Sequence, residues 1–443
     1  MRSQRSVDAS ERAGFARRIL AFAGLPFLSL ITPFLFLPIL ARVAGADAWL
    51  AIAIGQSSGG FFALVVALGY NTIGPPMVAV TQAETRPNLL AQSLRARLLV
   101  WMPSTLLAVA VAVIVAPASH RVEAGLMAVA MTLTGLSSAW YMIGLGRAGA
   151  IALYEIAPRI IGTVAAAVIV ITGGLVIWYP ILLIAAMIVS VVGYSARTIS
   201  GAQLRASRWR DIRGVFRTNR AAVATELAGG AYNSLAVTFV GASATTAQAA
   251  AYVSGDKLYR IGQYSVSALG NALQGWVVES GSEEFGKRIR KALLLHLALG
   301  LLGFAAFALL GPWLSGLLFG AEVAIDQLTA LGLGVATLGI ALGTALGRIT
   351  LIGMGANRAF LASVLLAACV GVPAIILLSS AYGAAGGAWG LATGELVSVT
   401  AQAVSVLWLR RRAGGFVVAV RSGASGTVET PGRSGDGPYG TEA

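Results

Sequence analysis

The chain has 443 residues, of which 57% are hydrophobic and only 11% are charged, and its mean hydropathy is +0.79. Soluble domains carry about 25% charged residues, so this composition excludes an ordinary soluble domain and indicates a polytopic membrane protein. The single cysteine and two histidines exclude an intrachain disulfide and are too few for a metal centre or a histidine-based catalytic triad. We therefore expect no cofactor, no bound metal and no catalytic residues.

Twelve apolar stretches are long enough to cross about 30 Å of hydrocarbon, which takes roughly 20 helical residues. In chain order they lie at residues 19–41, 48–70, 95–116, 122–145, 151–172, 176–198, 221–241, 249–277, 290–318, 327–352, 357–380 and 384–409. The sequence therefore predicts an all-α polytopic membrane protein with about 12 transmembrane helices.

Lysine and arginine are concentrated in every second connection between these stretches. The connections on the other side carry only Arg42 and Arg121. By the positive-inside rule, the basic side is cytoplasmic, which predicts a multi-pass protein of the cytoplasmic membrane with both termini inside the cell. The same residues supply most of the net charge of +14, so this charge does not indicate nucleic-acid binding. The basic side carries Arg2, Arg5, Arg12, Arg17, Arg18, Arg86, Arg95, Arg97, seven arginines from Arg197 to Arg220, Lys287, Arg288, Arg290, Lys291 and Arg410 to Arg412.

A short motif recurs in the two halves of the chain. Ile143-Gly144-Leu145-Gly146 reappears 209 residues later as Ile352-Gly353-Met354-Gly355. A second, looser repeat with an offset of about 200 residues relates Gly55, Gly69 and Asn71 to Gly255, Gly270 and Asn271. We interpret this as a duplication into two six-helix bundles related by a pseudo-two-fold axis along the membrane normal.

These features divide the chain into five segments. Residues 1–18 form a basic cytoplasmic N-terminus, 19–200 the first bundle, 201–220 a basic cytoplasmic linker and 221–412 the second bundle. Residues 413–443 are rich in Gly, Ser and Pro, which predicts a disordered cytoplasmic tail.

Charged residues inside the spans are the candidate functional residues, because charges at membrane depth usually line a cavity or pair with one another. Asp256 and Arg260 lie four residues apart on a predicted helix and can form an ion pair, which would leave Lys257 unpaired. Alternatively, Lys257 and Arg260 face a water-filled cavity and bind an anionic headgroup. The sequence leaves both interpretations open.

Other polar residues lie inside spans or near their ends. Glu226, Arg348 and Glu395 are one to two turns inside a span, whereas Asn71 and Asn271 can either bind sugar hydroxyls or join helices. Snorkelling explains the charges nearer span ends, which are Arg42, Arg147, Glu155, Arg159 and Arg358. The candidate substrate ligands are Lys257, Arg260, Arg348, Arg42, Asn71 and Asn271, and the candidate coupling or pairing residues are Asp256, Glu226 and Glu395.

Four stretches of the chain resemble one transporter family. They are LPILARVAGADAWLAIAIGQS at 37–57, Trp140–Gly146, YVSGDKLYR at Tyr252–Arg260, and the last span with its basic end at Tyr382–Arg412. In order and spacing they resemble the Wzx-type flippases, which belong to the polysaccharide-transport family of the multidrug/oligosaccharidyl-lipid/polysaccharide exporter superfamily.

This resemblance implies two six-helix bundles around a central cavity and translocation of a polyprenyl-pyrophosphate-linked oligosaccharide by alternating access. The implied partners are the bilayer, the lipid-linked glycan, and a polysaccharide polymerase or glycosyltransferases. Pyrophosphate is bound best by Arg and Lys, which suits Lys257 and Arg260. The alternatives are an ion-coupled multidrug exporter of the same superfamily and a membrane-embedded polysaccharide polymerase or ligase. The enzyme alternative is disfavoured because every predicted outer loop is short.

Overall fold

The computed structural model describes residues 36–201, 203, 209–278 and 282–413, and within these ranges the chain is built from helices without strands. The predicted basic N-terminus, most of the first predicted span and nearly all of the 413–443 tail lie outside the described residues. The all-α polytopic architecture predicted from hydropathy is confirmed.

The helices are numbered in chain order. They are α1 Gly45–Ala67, α2 Tyr70–Val80, α3 Arg86–Val115, α4 Arg121–Leu133, α5 Ala139–Gly144, α6 Ala148–Ile171, α7 Trp178–Thr198, α8 Trp209–Ser243, α9 Thr246–Val278, α10 Ser282–Phe319, α11 Gln327–Leu351 and α12 Asn357–Ala413. Residues 36–43 are also helical and end the first predicted span. Two helices contain π-helical turns, at Ala152–Ile156 in α6 and Thr344–Leu351 in α11.

Eight helical segments in the described part of the chain are long and apolar enough to cross a membrane. One of them, α12, contains two antiparallel arms, because Gly383 (φ 58°, ψ −130°) reverses the chain and Gly371 packs against Gly394. α8 and α9 are long enough to span but carry more polar residues, including Asp256 and Lys257. Together with 36–43, these helices account for the twelve predicted spans.

One boundary differs from the sequence prediction. α8 begins at Trp209, inside the segment 201–220 that was predicted to be a linker. Its first turns carry arginines of the predicted linker, so hydropathy underestimates the length of the helix. A helix can continue beyond the apolar region because its backbone hydrogen bonds are internal and do not depend on side-chain hydropathy.

The duplicated motif ends a helix in the same way in both halves. Gly146 and Gly355 have left-handed φ angles of 68° and 74°, which glycine adopts without strain. Their amides donate to the carbonyls of Ile143 and Ile352, each at 2.9 Å. The looser repeat does not have the same backbone conformation in both halves. Gly69 is left-handed (φ 74°), whereas Gly270 lies inside the continuous helix α9.

The two halves, 36–201 and 209–413, meet mainly where α1 packs along α8. Ser57 of α1 hydrogen-bonds with the Thr238 hydroxyl at 2.8 Å, and Asn219 donates to the Leu68 carbonyl at 2.9 Å. We call the end of the bundle that carries the α2–α3 turn the basic end, and the end that carries Arg42 the opposite end. The assignment of the basic end to the cytoplasm remains a prediction.

Candidate functional site

A cavity of about 280 Å³ lies between the two halves and is lined by side chains from both. Its apolar wall includes Leu37, Ala53, Met131 and Tyr179. Its charged and polar lining residues are Gln56, Ser57, Thr134, Arg159, Thr163, Ser234, Asp256, Lys257, Arg260 and Tyr264. Both Lys257 and Arg260, the first two predicted ligands, therefore face this cavity.

Arg260 forms the ion pair that its spacing predicts. Its Nε lies 2.8 Å from Asp256 Oδ2, and the Asp256 side chain is only 2% exposed whereas that of Arg260 is 27% exposed. Arg260 Nη2 also donates to the Asn233 carbonyl at 3.3 Å. The pair orients the guanidinium but leaves it at the cavity wall, so the two interpretations of this cluster are compatible.

Lys257 is held by a neutral partner. Its Nζ donates to Gln56 Oε1 of the other half at 2.8 Å, and Gln56 in turn contacts Tyr179. In the described part of the chain, no carboxylate lies within ion-pairing distance of this ammonium. An amide can satisfy a donor of the ammonium but cannot compensate its charge.

Arg159 is a cavity residue that the sequence argument assigned to snorkelling. It lines the cavity from α6, and its Nη2 lies 3.2 Å from Glu155 Oε2. The spacing was an available signal, because Glu155–Arg159 repeats the acid-to-arginine separation of four residues in Asp256–Arg260. Lys257, Arg159 and Arg260 carry three positive charges, and the carboxylates of Glu155 and Asp256 pair with the two arginines, which leaves a net positive charge at the cavity.

Two predicted ligands lie together but away from this cavity. Arg348 Nη2, on the π-helical turn of α11, donates to Asn271 Oδ1 of α9 at 2.6 Å. Asn71 is exposed on α2 at the basic end, and it does not line the cavity. The interhelical interpretation therefore fits Asn271, which joins α9 to α11.

Arg42 lies at the opposite end, where it joins the two halves. Its guanidinium donates to the carbonyls of Leu317 and Leu318 at the end of α10. Next to it, the Trp49 ring stacks on Phe319 with centroids 5.4 Å apart. Arg42 was predicted to be a substrate ligand, but in this conformation it lies away from the cavity and its donors are used on a helix C-terminus.

Glu226 and Glu395, the two remaining candidate coupling residues, lie outside the cavity. Glu226 Oε1 accepts from the Thr72 hydroxyl at 2.7 Å near the basic end. Glu395 is 3% exposed inside the second half, where its Oε1 accepts from the Tyr232 hydroxyl at 2.9 Å. No three histidine, cysteine or carboxylate side chains among the described residues are grouped as a metal site.

No protein-family model and no curated protein sequence matches the chain. Solved structures do match it. An inward-facing multidrug-resistance MATE transporter of the MOP superfamily has a TM-score of 0.66 at 15% identity, over 87% of this chain and 94% of the other. The lipid II flippase MurJ, in an inward closed conformation, has a TM-score of 0.64 at 11% identity, over 87% of each chain.

A eukaryotic MATE transporter gives a TM-score of 0.60 at 17% identity, over 88% of this chain and 95% of the other. At identities this low the likeness concerns the fold alone, and it extends over nearly the full length of these transporters. The chain therefore has the fold of the MOP-superfamily transporters.

Proposed function

We propose that this protein moves a polyprenyl-pyrophosphate-linked oligosaccharide across the cell membrane by alternating access. The observation that carries the proposal is the cationic cavity between the halves, in which Lys257 has a neutral partner and Arg260 and Arg159 present guanidinium groups. Phosphate oxygens are strong acceptors for such donors. The apolar tail would remain in the bilayer while the headgroup passes through the cavity.

The charge of the cavity favours this function over its main alternative. A multidrug exporter of cationic compounds would bring a positive charge toward Lys257, Arg159 and Arg260, which is unfavourable in a medium of low dielectric constant. The solved neighbours do not separate the two, because a multidrug transporter and a lipid flippase match with similar TM-scores of 0.66 and 0.64. The buried carboxylate of Glu395 suits ion coupling in either case.

Neutralising Lys257 tests the proposal. Lys257→Gln should reduce surface polysaccharide at least about tenfold when the variant replaces the native copy in its host, because one charge-assisted hydrogen bond contributes roughly 1.5–3 kcal/mol. Arg260→Gln combined with Asp256→Asn should act similarly without leaving a buried carboxylate unpaired. Surface glycan and membrane protein level are measured in the same cells.

The matched controls are Arg121→Gln and Arg290→Gln, which neutralise exposed arginines on α4 and α10. Surface polysaccharide at the native level in Lys257→Gln cells, with normal protein abundance, would contradict the proposal. Unchanged polysaccharide together with altered drug resistance would favour the multidrug exporter instead.

Alternating access requires the contact at the opposite end to open. Arg42→Ala removes the donors to Leu317 and Leu318, so the cavity should become more accessible from that end. Gly60→Cys provides the reporter, because Gly60 lines the cavity and a Cβ there meets no atom within 4 Å. In a Cys369→Ser background, a membrane-impermeant maleimide added from that side should label the introduced thiol several-fold faster when Arg42 is replaced.

Arg121→Ala is the control for this measurement, because Arg121 is exposed at the same end. Equal labelling rates with and without Arg42 would show that its contact with α10 does not hold the halves together.

A further inference from the structure

The connection between α4 and α5 breaks a membrane helix next to the cavity. A 3-10 turn at Thr134–Leu136 is followed by Ser137, whose φ and ψ of −50° and 141° are not helical. The equivalent stretch in the second half, residues 343–346, lies in the continuous helix α11 where its π-helical turn Thr344–Leu351 begins. The break is thus particular to the first half, and Thr134 within it lines the cavity.

The backbone groups freed by this break are bound by charged side chains on two sides. Arg97 Nη1 donates to the carbonyls of Gly135 at 3.1 Å and Ser137 at 2.7 Å. On the other side, Glu155 Oε1 accepts from the Ser137 hydroxyl at 2.6 Å and from the Ser138 amide at 3.1 Å. Unpaired backbone groups are costly inside a membrane, so these charges stabilise the break.

Glu155 also contacts a cavity-lining residue through its second oxygen. Oε2 lies 3.2 Å from Arg159 Nη2, so one carboxylate joins the helix break to a cavity cation. The carboxylate itself is 6% exposed, whereas the Arg159 side chain is 32% exposed. Arg159 Nε is buried without a hydrogen-bond partner among the described residues, and Nη2 is the atom that bonds to Glu155, so Nη1 is the donor that remains for a ligand in the cavity.

The π-helical turn explains why Glu155 reaches both groups. Residues 152–156 of α6 form this turn, and Glu155 and Ile156 are its buried members. An inserted residue in such a turn shifts the neighbouring side chains around the helix axis, and π-turns are frequent at functional sites. Ile156 and Arg159 face the cavity, while Glu155 faces the break.

We propose that Glu155 is a positioning residue that fixes Arg159 against the helix break, so that the guanidinium presents its unused donors to an anionic ligand in the cavity. This inference rests on the proposed function, because it assumes that the cavity binds an anion. A guanidinium held in place by a buried carboxylate loses less conformational freedom on binding than a free one, and its planar donors then match a phosphate.

A double-mutant cycle with purified full-length protein and geranyl pyrophosphate as the probe tests the proposal. Arg159→Lys should weaken binding about tenfold in the native background, because a lysine cannot keep both the Glu155 contact and the planar donors. In the Glu155→Gln background the same change should cost less than about twofold, because Arg159 is no longer positioned. The cycle cancels the change in net charge that Glu155→Gln itself introduces.

Equal costs of Arg159→Lys in both backgrounds would overturn the proposal, because a residue that only stabilises the fold does not couple to probe binding. If Glu155→Gln does not fold, Glu155→Asp serves instead, because the shorter side chain keeps the negative charge but moves it away from Arg159. In that background the loss of probe binding caused by Arg159→Lys should again be smaller than in the native protein. Lys257→Gln, measured in the same assay, tests the proposed function. If this variant binds the probe as well as the native protein, the anion-binding cavity is contradicted, whereas the Glu155 cycle tests only the positioning of Arg159.

Discussion

Replacing Arg97 by methionine should strongly destabilise the protein. Arg97 is 1% exposed, and it donates to the carbonyls of Gly135 and Ser137. Its guanidinium also lies 5.7 Å from the ring centroids of both Tyr70 and Trp140. Methionine fills part of the volume but leaves the broken helix with unpaired carbonyls, each of which costs about 1–3 kcal/mol. Two such carbonyls give an expected loss of about 2–6 kcal/mol.

The measurement is thermal unfolding of the detergent-solubilised protein together with the yield of monodisperse material. Arg97→Lys should be intermediate, since an ammonium is a point charge and cannot reproduce the planar contacts to two carbonyls and two rings. Arg121→Met is the control, because Arg121 is exposed on the next helix. A native melting temperature for Arg97→Met would show that the break is stable without the guanidinium.

The second large effect is expected at Gly390, where the two arms of α12 touch. A Cβ at Gly390 would lie 2.5 Å from the Ile375 Cα and 2.6 Å from its amide nitrogen, and neither atom can move aside alone. Gly390→Ala should therefore separate the arms and destabilise the second half by about 1–3 kcal/mol, as overpacking does. The same unfolding measurement applies.

Gly275→Ala is the matched control, because Gly275 is helical and a Cβ there meets no atom within 4 Å. Alanine is favoured over glycine in a helix by up to about 1 kcal/mol, so the control should be neutral or stabilising. Of the two substitutions, only Gly390→Ala is thus expected to destabilise the protein. A stabilised Gly390→Ala variant would mean that the arms are farther apart than their backbone contact indicates.

Several features of the fold were predictable because they depend on short stretches of sequence. The spans follow from hydropathy over about 20 residues. The repeat of Ile143–Gly146 at Ile352–Gly355 was visible in the sequence because a left-handed glycine after the last turn ends a helix in each half. The pair Asp256–Arg260 was predictable for the same reason, since four residues on a helix bring two side chains together.

Other features were not predictable, because charge alone does not reveal what a side chain contacts. Arg97 was counted as a topology signal, yet it lies inside the first half against residues about 40 positions away. Arg159 and Glu155 were assigned to a span end, although one faces the cavity and the other binds the helix break. Arg42 was placed among substrate ligands, whereas in the structure it joins the halves at the opposite end.

The sequence by itself determined the class of protein, the number of spans and the duplication, because each is carried by composition or by residues close in the chain. Only the tertiary structure decided which charges surround the cavity. Lys257 meets Gln56 across 201 residues of chain, and Arg97 meets the α4–α5 break across 40. Such contacts depend on how the helices rotate and pack against one another. The sequence of one helix does not determine which face of another helix it will contact.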